Sequence, residues 1–334
     1  MRLFAGCYER FLFGFDVVVG ADGEHGLTKT FCKPAHRSAV KCIDSEGDYV
    51  VTGGSDDQIH LYNMSKEKDL GFLVNPVDGP VPSICLFKPT GQSQPKHMLS
   101  GTNDGSICIW KAGGDWEHLK VMKGHKGAVN SMSVHPSGTL ALSVSRDKQM
   151  RLWDLTKGAC AYQAPIGGEG EFVHFLPGGD LYVVACGTTM TVHSTKGELV
   201  GTLKHERRVL SCAALSATTL VSGCEGGSLQ VWDVRKSESV AELAKAHASR
   251  IRGMTAFSMP NRRSSCVASV SSDGLVKLWD ADAIAAGKAG AMSELSAGAR
   301  FTCITHLKGK KGKALGEVGV KASKRKAKDA ELGE

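Results

Sequence analysis

The sequence lacks the features that mark several large classes of protein. It has no run of about 18 apolar residues, the length that a membrane-spanning helix requires. Its eleven cysteines are odd in number and contain no Cys-x-x-Cys pair, which argues against a disulfide framework and a zinc site. None of its Gly-Lys pairs is followed by Ser or Thr, so the phosphate-binding P-loop is missing as well. We therefore expect no membrane span, no metal site and no cofactor.

Aromatic residues are scarce, at 6% of the chain, yet four of the five tryptophans close nearly identical segments. The tryptophan follows an aliphatic residue in each copy and precedes Asp in three of them. These tryptophans are Trp110, Trp153, Trp232 and Trp279, and weaker copies place Phe15, Tyr62 and His193 at the same position. The positions recur at intervals close to about 40 residues, the period of a WD-type blade. Seven such positions predict an all-β fold, a seven-bladed WD-repeat β-propeller.

Two repeats contain a complete set of His, Ser, Asp and Trp. In a WD-type blade, the Asp of a tight turn accepts a hydrogen bond from the imidazole, and the Ser hydroxyl links the imidazole to the indole. The complete sets are His125, Ser143, Asp147 and Trp153 in the third repeat, and His247, Ser269, Asp273 and Trp279 in the sixth. Other repeats are partial, and the fifth has Gly226 where Asp is expected. Because each set recurs inside one repeat, we interpret these residues as structural networks and not as catalytic triads.

The two ends of the repeat region are predicted to complete one another. About residues 2–8, 11–19 and 26–32 supply the second, third and fourth strands of a blade, but no first strand precedes them. Residues 300–307 have the pattern of a first strand with nothing after it. Pairing these segments removes two exposed sheet edges. We therefore expect one propeller over residues 1–307, in which the N- and C-terminal segments share the closing blade.

Basic residues concentrate in the last 27 residues of the chain. Residues 308–334 contain nine Lys or Arg against four Asp or Glu, a net charge of +5, which leaves only +2 of the total of +7 for residues 1–307. The segment has no large aromatic side chain, so we predict that 308–334 is a disordered basic tail. Its densest cluster is Lys321, Lys324, Arg325, Lys326 and Lys328. This pattern predicts nuclear import or RNA contact, and a solvated tail without a specific partner is the alternative.

Arginines also cluster in the loops that lead into blades 5, 6 and 7. They are Arg207, Arg208, Arg250, Arg252 and Arg300, which we call the arginine arc. These loops emerge on one face of a propeller, so the arc is expected near the central channel. The guanidinium fork suits a phosphate or a carboxylate, and we predict a surface that binds RNA or a protein partner. The alternative is an ordinary polar loop surface, in which Glu206 and Glu225 dilute the positive charge.

Several short sequence segments, in addition to the WD-type repeat positions, resemble those of a known family. They are residues 5–10, 123–127, 135–138, 140–144, 271–274 and 299–303. Together they resemble the p21-activated-kinase-interacting WD-repeat proteins, from the first residues to about residue 307. The resemblance implies a nucleolar factor in assembly of the large ribosomal subunit. For animal members it also implies negative regulation of p21-activated kinase, and it offers no catalytic residues.

The residues and the resemblance together predict a non-enzymatic scaffold. We expect a monomeric propeller, located in the nucleus and nucleolus, that binds pre-rRNA and assembly factors of the pre-60S ribosomal particle. No membrane partner is expected. One alternative is a signalling adaptor that negatively regulates p21-activated kinase, with a protein kinase as its partner. The other is a hydrolase that uses the propeller channel, which requires acidic or His residues at the axis, and the sequence shows none clearly.

Overall fold

Seven blades surround a central channel. The computed structural model describes residues 1–20, 25–259, 262, 264–288 and 290–307. Within them, 28 β-strands form seven four-stranded antiparallel sheets. The first strand of every blade lies innermost and lines the channel. This architecture confirms the predicted seven-bladed β-propeller.

The strands follow the repeats of the sequence. The N-terminal segment supplies β1 (Arg2–Cys7), β2 (Phe11–Val19) and β3 (His25–Pro34). Blade 1 consists of β4 (Val40–Glu46), β5 (Tyr49–Gly54), β6 (Gln58–Asn63) and β7 (Lys68–Val74), and blade 2 of β8 (Ser83–Phe87), β9 (His97–Gly101), β10 (Ile107–Lys111) and β11 (His118–Met122). Blade 3 consists of β12 (Val129–Val134), β13 (Leu140–Ser145), β14 (Gln149–Asp154) and β15 (Ala159–Pro165), and blade 4 of β16 (Gly170–Phe175), β17 (Leu181–Cys186), β18 (Thr189–Ser194) and β19 (Leu199–Lys204).

The remaining strands complete the ring. Blade 5 consists of β20 (Val209–Ala214), β21 (Thr219–Cys224), β22 (Leu229–Asp233) and β23 (Glu238–Leu243). Blade 6 consists of β24 (Ile251–Ser258), β25 (Ser265–Ser271), β26 (Leu275–Asp280) and β27 (Ser293–Ser296), with helix α1 (Ala281–Ala285) between its last two strands. The final strand is β28 (Phe301–His306). Among the described residues, no helix is long and apolar enough to span a membrane.

The closing blade, blade 7, joins the two ends of the chain. Its strand order is β28-β1-β2-β3, and β28 runs antiparallel to β1 with Leu3 opposite His306. The pairing confirms that the two terminal segments share this blade. An aromatic cluster stabilises the blade, because the ring centroid of Phe301 lies 5.5 Å from that of Phe13 and 6.2 Å from that of Phe15. Edge-to-face pairs of this kind add to the burial of apolar area.

Aliphatic and sulfur-containing side chains fill most of the space between neighbouring blades. Between blades 1 and 2, for example, Ile59 and Leu61 pack with Met98 and Trp110. The repeat tryptophans are part of this packing, and Trp153 in blade 3 is only 1% exposed. Because each blade buries its two faces against its neighbours, the apolar core is distributed around the ring. The ring can therefore hold the loops between strands in fixed positions.

Candidate interaction surface

The loops that precede the first strands lie on the same side of the ring as the turns between the second and third strands. We call this side the upper face. Strands of an antiparallel blade alternate in direction, so the two sets of loops meet at one edge of each sheet. The hydrogen-bond networks and the arginine arc both belong to this face.

In blade 3, a continuous chain of hydrogen bonds ties the upper face to the sheet. The Nδ1–H of His125 donates to the Asp147 carboxylate at 2.9 Å, and the Ser143 hydroxyl lies 2.7 Å from the Nε2 of the same ring. That hydroxyl accepts from the Nε1–H of Trp153 at 2.8 Å. The backbone N–H of Lys126 also donates to the carboxylate, at 2.9 Å. Each of these buried polar groups therefore has a partner.

Blade 6 repeats the arrangement. His247 Nδ1 lies 3.0 Å from the Asp273 carboxylate, and its Nε2 lies 2.8 Å from the Ser269 hydroxyl. The indole N–H of Trp279 donates to that hydroxyl at 2.9 Å, and the backbone N–H of Ala248 donates to the carboxylate at 3.0 Å. The structure thus brings together all eight residues that the sequence assigned to two networks.

Burial and hydrogen bonds together decide the charge states in these networks. Burial lowers the pKa of His125 below its ordinary value, although the hydrogen bond to Asp147 acts in the opposite direction. Burial alone would raise the pKa of Asp147, but the N–H of Lys126 and the ring of His125 outweigh it and hold the pKa below its usual range. At neutral pH the imidazole is therefore neutral and the carboxylate is ionised. The arrangement thus contains one charged group, the Asp147 carboxylate, which is stabilised by hydrogen bonds from donors in fixed positions.

Blade 1 contains a variant of the network. His36 contacts the Asp56 carboxylate at 2.8 Å and the Thr52 hydroxyl at 2.9 Å, and Tyr62 occupies the tryptophan position. His60 lies beside this network, so that ligand-type atoms of His36, Asp56 and His60 come within 4.8 Å of one another. The sequence predicted no metal site. Since both ring nitrogens of His36 already have hydrogen-bond partners, the geometry here favours the network over metal ligation.

Blade 5 retains the network without its carboxylate. The Ser222 hydroxyl lies 2.8 Å from His205 Nε2 and accepts from the Nε1–H of Trp232 at 3.0 Å. Gly226 stands at the position of the Asp, as the sequence indicated. The buried Nδ1 of His205 consequently has no hydrogen-bond partner among the described residues.

In blade 7, a glutamate replaces the network Asp. Glu9 occupies the turn between β1 and β2, where its carboxylate accepts from the backbone N–H of Arg300 at 3.1 Å and from its Nε–H at 2.8 Å. Ala299 stands where blades 1, 3, 5 and 6 have His. Sequence reasoning missed the role of Glu9, although residues 6–16 align without a gap with residues 223–233 and place Glu9 over Gly226.

All five members of the arginine arc lie in or just after the loops that precede β20, β24 and β28. Three of them pair with acidic side chains: Arg208 with Glu171, Arg250 with Glu225 and Arg300 with Glu9. Arg252 donates to the Tyr8 hydroxyl at 2.6 Å, and the guanidinium groups of Arg252 and Arg300 lie over the same tyrosine ring. These ion pairs make the arc less positive than its sequence suggests. Glu9 and Glu171 were not predicted from the sequence as partners of the arginines. Arg207 is exposed, and its stem lies over Gly226.

The central channel encloses about 690 Å³. Contrary to the sequence interpretation, several acidic and histidine side chains line it, among them Asp44, Glu46, Glu171 and His174. The acids are engaged in fixed interactions: Asp44 accepts from two backbone N–H groups, Glu46 pairs with Lys88 at 3.0 Å, and Glu171 pairs with Arg208. These acids serve the packing of neighbouring blades. The basic cluster of the tail, Lys321 to Lys328, lies outside the described residues.

The fold and its recurring networks define a WD-repeat β-propeller, and the sequence matches the family described as WD domain, G-beta repeat over residues 27–63, 116–154, 197–233 and 238–280. The chain belongs to the family of the p21-activated protein kinase-interacting protein 1. It is 34% identical to the zebrafish (Danio rerio) "p21-activated protein kinase-interacting protein 1-like", over 91% of this chain and 80% of that protein. This finding confirms the resemblance seen in the sequence.

Two further comparisons extend the likeness. The chain is 25% identical to "Shk1 kinase-binding protein 15" of Schizosaccharomyces pombe, over 100% of this chain and 92% of that protein. Among solved structures, it resembles "Structure of U3-55K" with a TM-score of 0.63 and 18% identity, covering 73% of this chain and 78% of the other. The structural likeness supports the propeller fold.

Proposed function

We propose that this protein is a non-enzymatic scaffold in the biogenesis of the large (60S) ribosomal subunit. In this role it works in the nucleolus and binds pre-rRNA and assembly factors of the pre-60S particle. The observation that carries the proposal is that the network histidines of blades 1, 3 and 6 and the acids lining the channel are held in contacts that stabilise the blades, while the upper face presents rigidly mounted charged loops. A rigid surface of this kind suits docking, because little order has to be gained on binding.

The family and the charge distribution support the ribosomal setting. The resemblance implies nucleolar assembly factors, and the concentration of nine basic residues in 308–334 fits delivery to the nucleus and contact with RNA. The face and the tail have separate tasks in this proposal. The arginine arc selects the docking site by shape, whereas the tail adds contacts that do not depend on sequence.

Charge reversal on the upper face tests the docking site. Arg207 and Arg250 are the suitable pair, since both are exposed and Arg250 lies 4.0 Å from Glu225, a distance at which an exposed ion pair contributes little stability. The double variant Arg207→Glu/Arg250→Glu should sediment away from pre-60S particles in a sucrose gradient while keeping the melting temperature of the ring. A matched control, Arg235→Glu/Lys236→Glu, makes the same charge change in the exposed turn between β22 and β23 on the opposite face and should sediment normally. Normal sedimentation of the upper-face variant would contradict this docking site.

A second function is favoured by the names of the relatives. The zebrafish and fission-yeast proteins are named for binding a kinase, and an adaptor that negatively regulates a p21-activated kinase would use the same rigid surface. The two functions differ in their dependence on RNA. A kinase complex would survive nuclease treatment and reduce kinase activity with purified components, whereas association with pre-60S particles would be lost with the RNA.

A further inference from the structure

Blade 5 has the histidine of a network but lacks the carboxylate that accepts from it in blades 1, 3 and 6. In blades 1, 3 and 6, an Asp from the turn between the second and third strands receives the Nδ1–H of the network histidine. Blade 5 has the histidine, His205, held by Ser222 at 2.8 Å as in the other blades. Its Nδ1 is buried and has no partner among the described residues.

The other donors of this cradle are backbone groups. In blade 3 the Asp147 carboxylate also accepts from the N–H of Lys126, which follows the histidine, and from the N–H of Gln149, two residues beyond the Asp. By position, the corresponding groups in blade 5 belong to Glu206 and Ser228. By position, blade 5 therefore has the same backbone N–H groups, with only a glycine hydrogen where blades 1, 3 and 6 place a carboxylate.

Because His205 Nδ1 has almost no exposed surface, an incoming carboxylate can reach it only if the Arg207 stem, which lies over Gly226, moves aside. A Cβ atom at Gly226 would meet only the Arg207 Cγ, at 3.4 Å, and the φ of Gly226 lies outside the left-handed region. Glu225, the exposed acid next to this position, is directed to Arg250. Burial lowers the pKa of His205 to about 4, while backbone groups of Leu203 and Thr188 act in the opposite direction without hydrogen-bonding geometry at Nδ1. The chain itself thus supplies no carboxylate to the cradle, and the exposed Arg207 lies at its mouth.

We propose that this cradle, formed by His205, Glu206 and Gly226 with Arg207 at its mouth, binds the carboxylate of an acidic side chain from a protein partner. The inserted Asp or Glu would accept from the Nδ1–H of His205 and the N–H of Glu206, while Arg207 provides the opposite charge. The cradle has the size of one Asp side chain, since blades 1, 3 and 6 fill it with one. A phosphate on an RNA backbone is larger and tetrahedral, so a carboxylate fits better. The inference does not rest on the ribosomal proposal, because any acidic protein partner would serve.

The first test titrates the full chain, labelled with ¹⁵N at its histidines, with small probes. NMR monitors the titration. The probes are the blocked peptides N-acetyl-Gly-Asp-Gly-amide and N-acetyl-Gly-Asn-Gly-amide, and inorganic phosphate. The Asp peptide should shift the Nδ1 resonance of His205 saturably, and the Asn peptide should bind more than about tenfold more weakly because it lacks the charge. No saturable shift, or a shift with phosphate alone, would overturn the proposal. Neither result depends on co-sedimentation with pre-60S particles, so failure here is distinct from failure of the proposed function.

The second test fills the cradle from within. The variant Gly226→Asp supplies the missing acceptor, so it should raise the melting temperature and abolish the response to the Asp peptide. The control Gly226→Ala adds the Cβ without the carboxylate and should still respond. If Gly226→Asp raised the melting temperature but the peptide still shifted the His205 resonance, the peptide would be binding elsewhere and the cradle would be a structural vacancy only.

Discussion

At the residue scale, the upper face is held by neutral imidazoles between a charged carboxylate and a neutral hydroxyl. The side chains of His36, His125 and His247 are fully buried in this arrangement. A neutral ring can donate from Nδ1 and accept at Nε2 at the same time, which a protonated ring cannot do. The networks therefore depend on both the neutrality of the histidine and the presence of the acceptor.

Removal of one acceptor should destabilise the protein measurably. The variant Asp147→Ala leaves the Nδ1–H of His125 and the N–H of Lys126 without their partner, and we expect it to cost about 1 to 3 kcal/mol of unfolding free energy. The matched control Asp78→Ala changes an exposed loop residue and should cost less than about 0.5 kcal/mol. Calorimetry of both variants measures the difference. Equal, small losses would show that the network does not stabilise blade 3.

Acid should weaken the fold in two stages. Burial lowers the pKa of His60 and of His205 from 6.5 to about 4, so below pH 6.5 the unfolded chain takes up protons that the folded chain refuses. Stability is then fully present above pH 6.5 and is lost as the pH falls toward about 4. The network Asp carboxyls, whose pKa is lowered from 3.8, add a further loss at lower pH. Melting temperatures measured from pH 7.5 to 4.5 should fall, and His60→Gln should flatten the decline; a flat profile for the wild type would contradict this account.

At the scale of elements, β28 is the strand that closes the ring. It pairs with β1 on one side and carries Phe301 into the aromatic cluster of blade 7. Further contacts fix it to blade 1, where the Ser45 hydroxyl meets the Thr305 hydroxyl at 3.0 Å. Without β28, the edge of β1 would be exposed and the apolar surface of blade 6 uncovered.

Two truncations separate the closing strand from the tail. Ending the chain at Ser296 removes β28 and should lower stability by several kcal/mol, of the order seen for severe core damage, or cause aggregation. Ending it at Lys308 keeps β28 and should leave the melting transition nearly unchanged. Thermal unfolding and light scattering report both effects. Equal melting temperatures for the two proteins would mean that closure of the ring does not depend on β28.

The elements show where sequence reasoning succeeded and where it stopped. The repeat period predicted the number of blades and the shared closure, because strand packing imposes the same residue types on each copy. It missed the pairing of Arg208 with Glu171 and of Arg300 with Glu9, which join residues 37 and 291 positions apart. Such contacts follow from the three-dimensional arrangement of loops and leave no local pattern. The absence of the Asp at Gly226 was visible in the sequence. The unpaired Nδ1 of His205 became evident only in the structure.

At the scale of the whole molecule, the net charge is divided unevenly between two parts of the chain. Residues 1–307 form the ring in its described part and carry a net charge of only +2, whereas residues 308–334 carry +5. Ion pairs on the upper face neutralise three of the five arginines of the arc. Long-range attraction to RNA should therefore come from 308–334, and selection of a docking site from the upper face.

Deletion of residues 309–334 should change the salt dependence of RNA binding more than the choice of site. Each phosphate contact through Lys or Arg releases a counterion, and the slope of log K against log salt is about −0.7 per contact for single strands. Removing a segment with eight of the nine basic residues of 308–334 should flatten this slope and reduce nucleolar enrichment, yet leave some association with pre-60S particles. Replacing those eight residues by Gln keeps the length of the segment and should reproduce the deletion, since only charge is lost. If instead the deletion abolished co-sedimentation while Arg207→Glu/Arg250→Glu sedimented normally, residues 309–334 would be the anchor and the upper face would have another task.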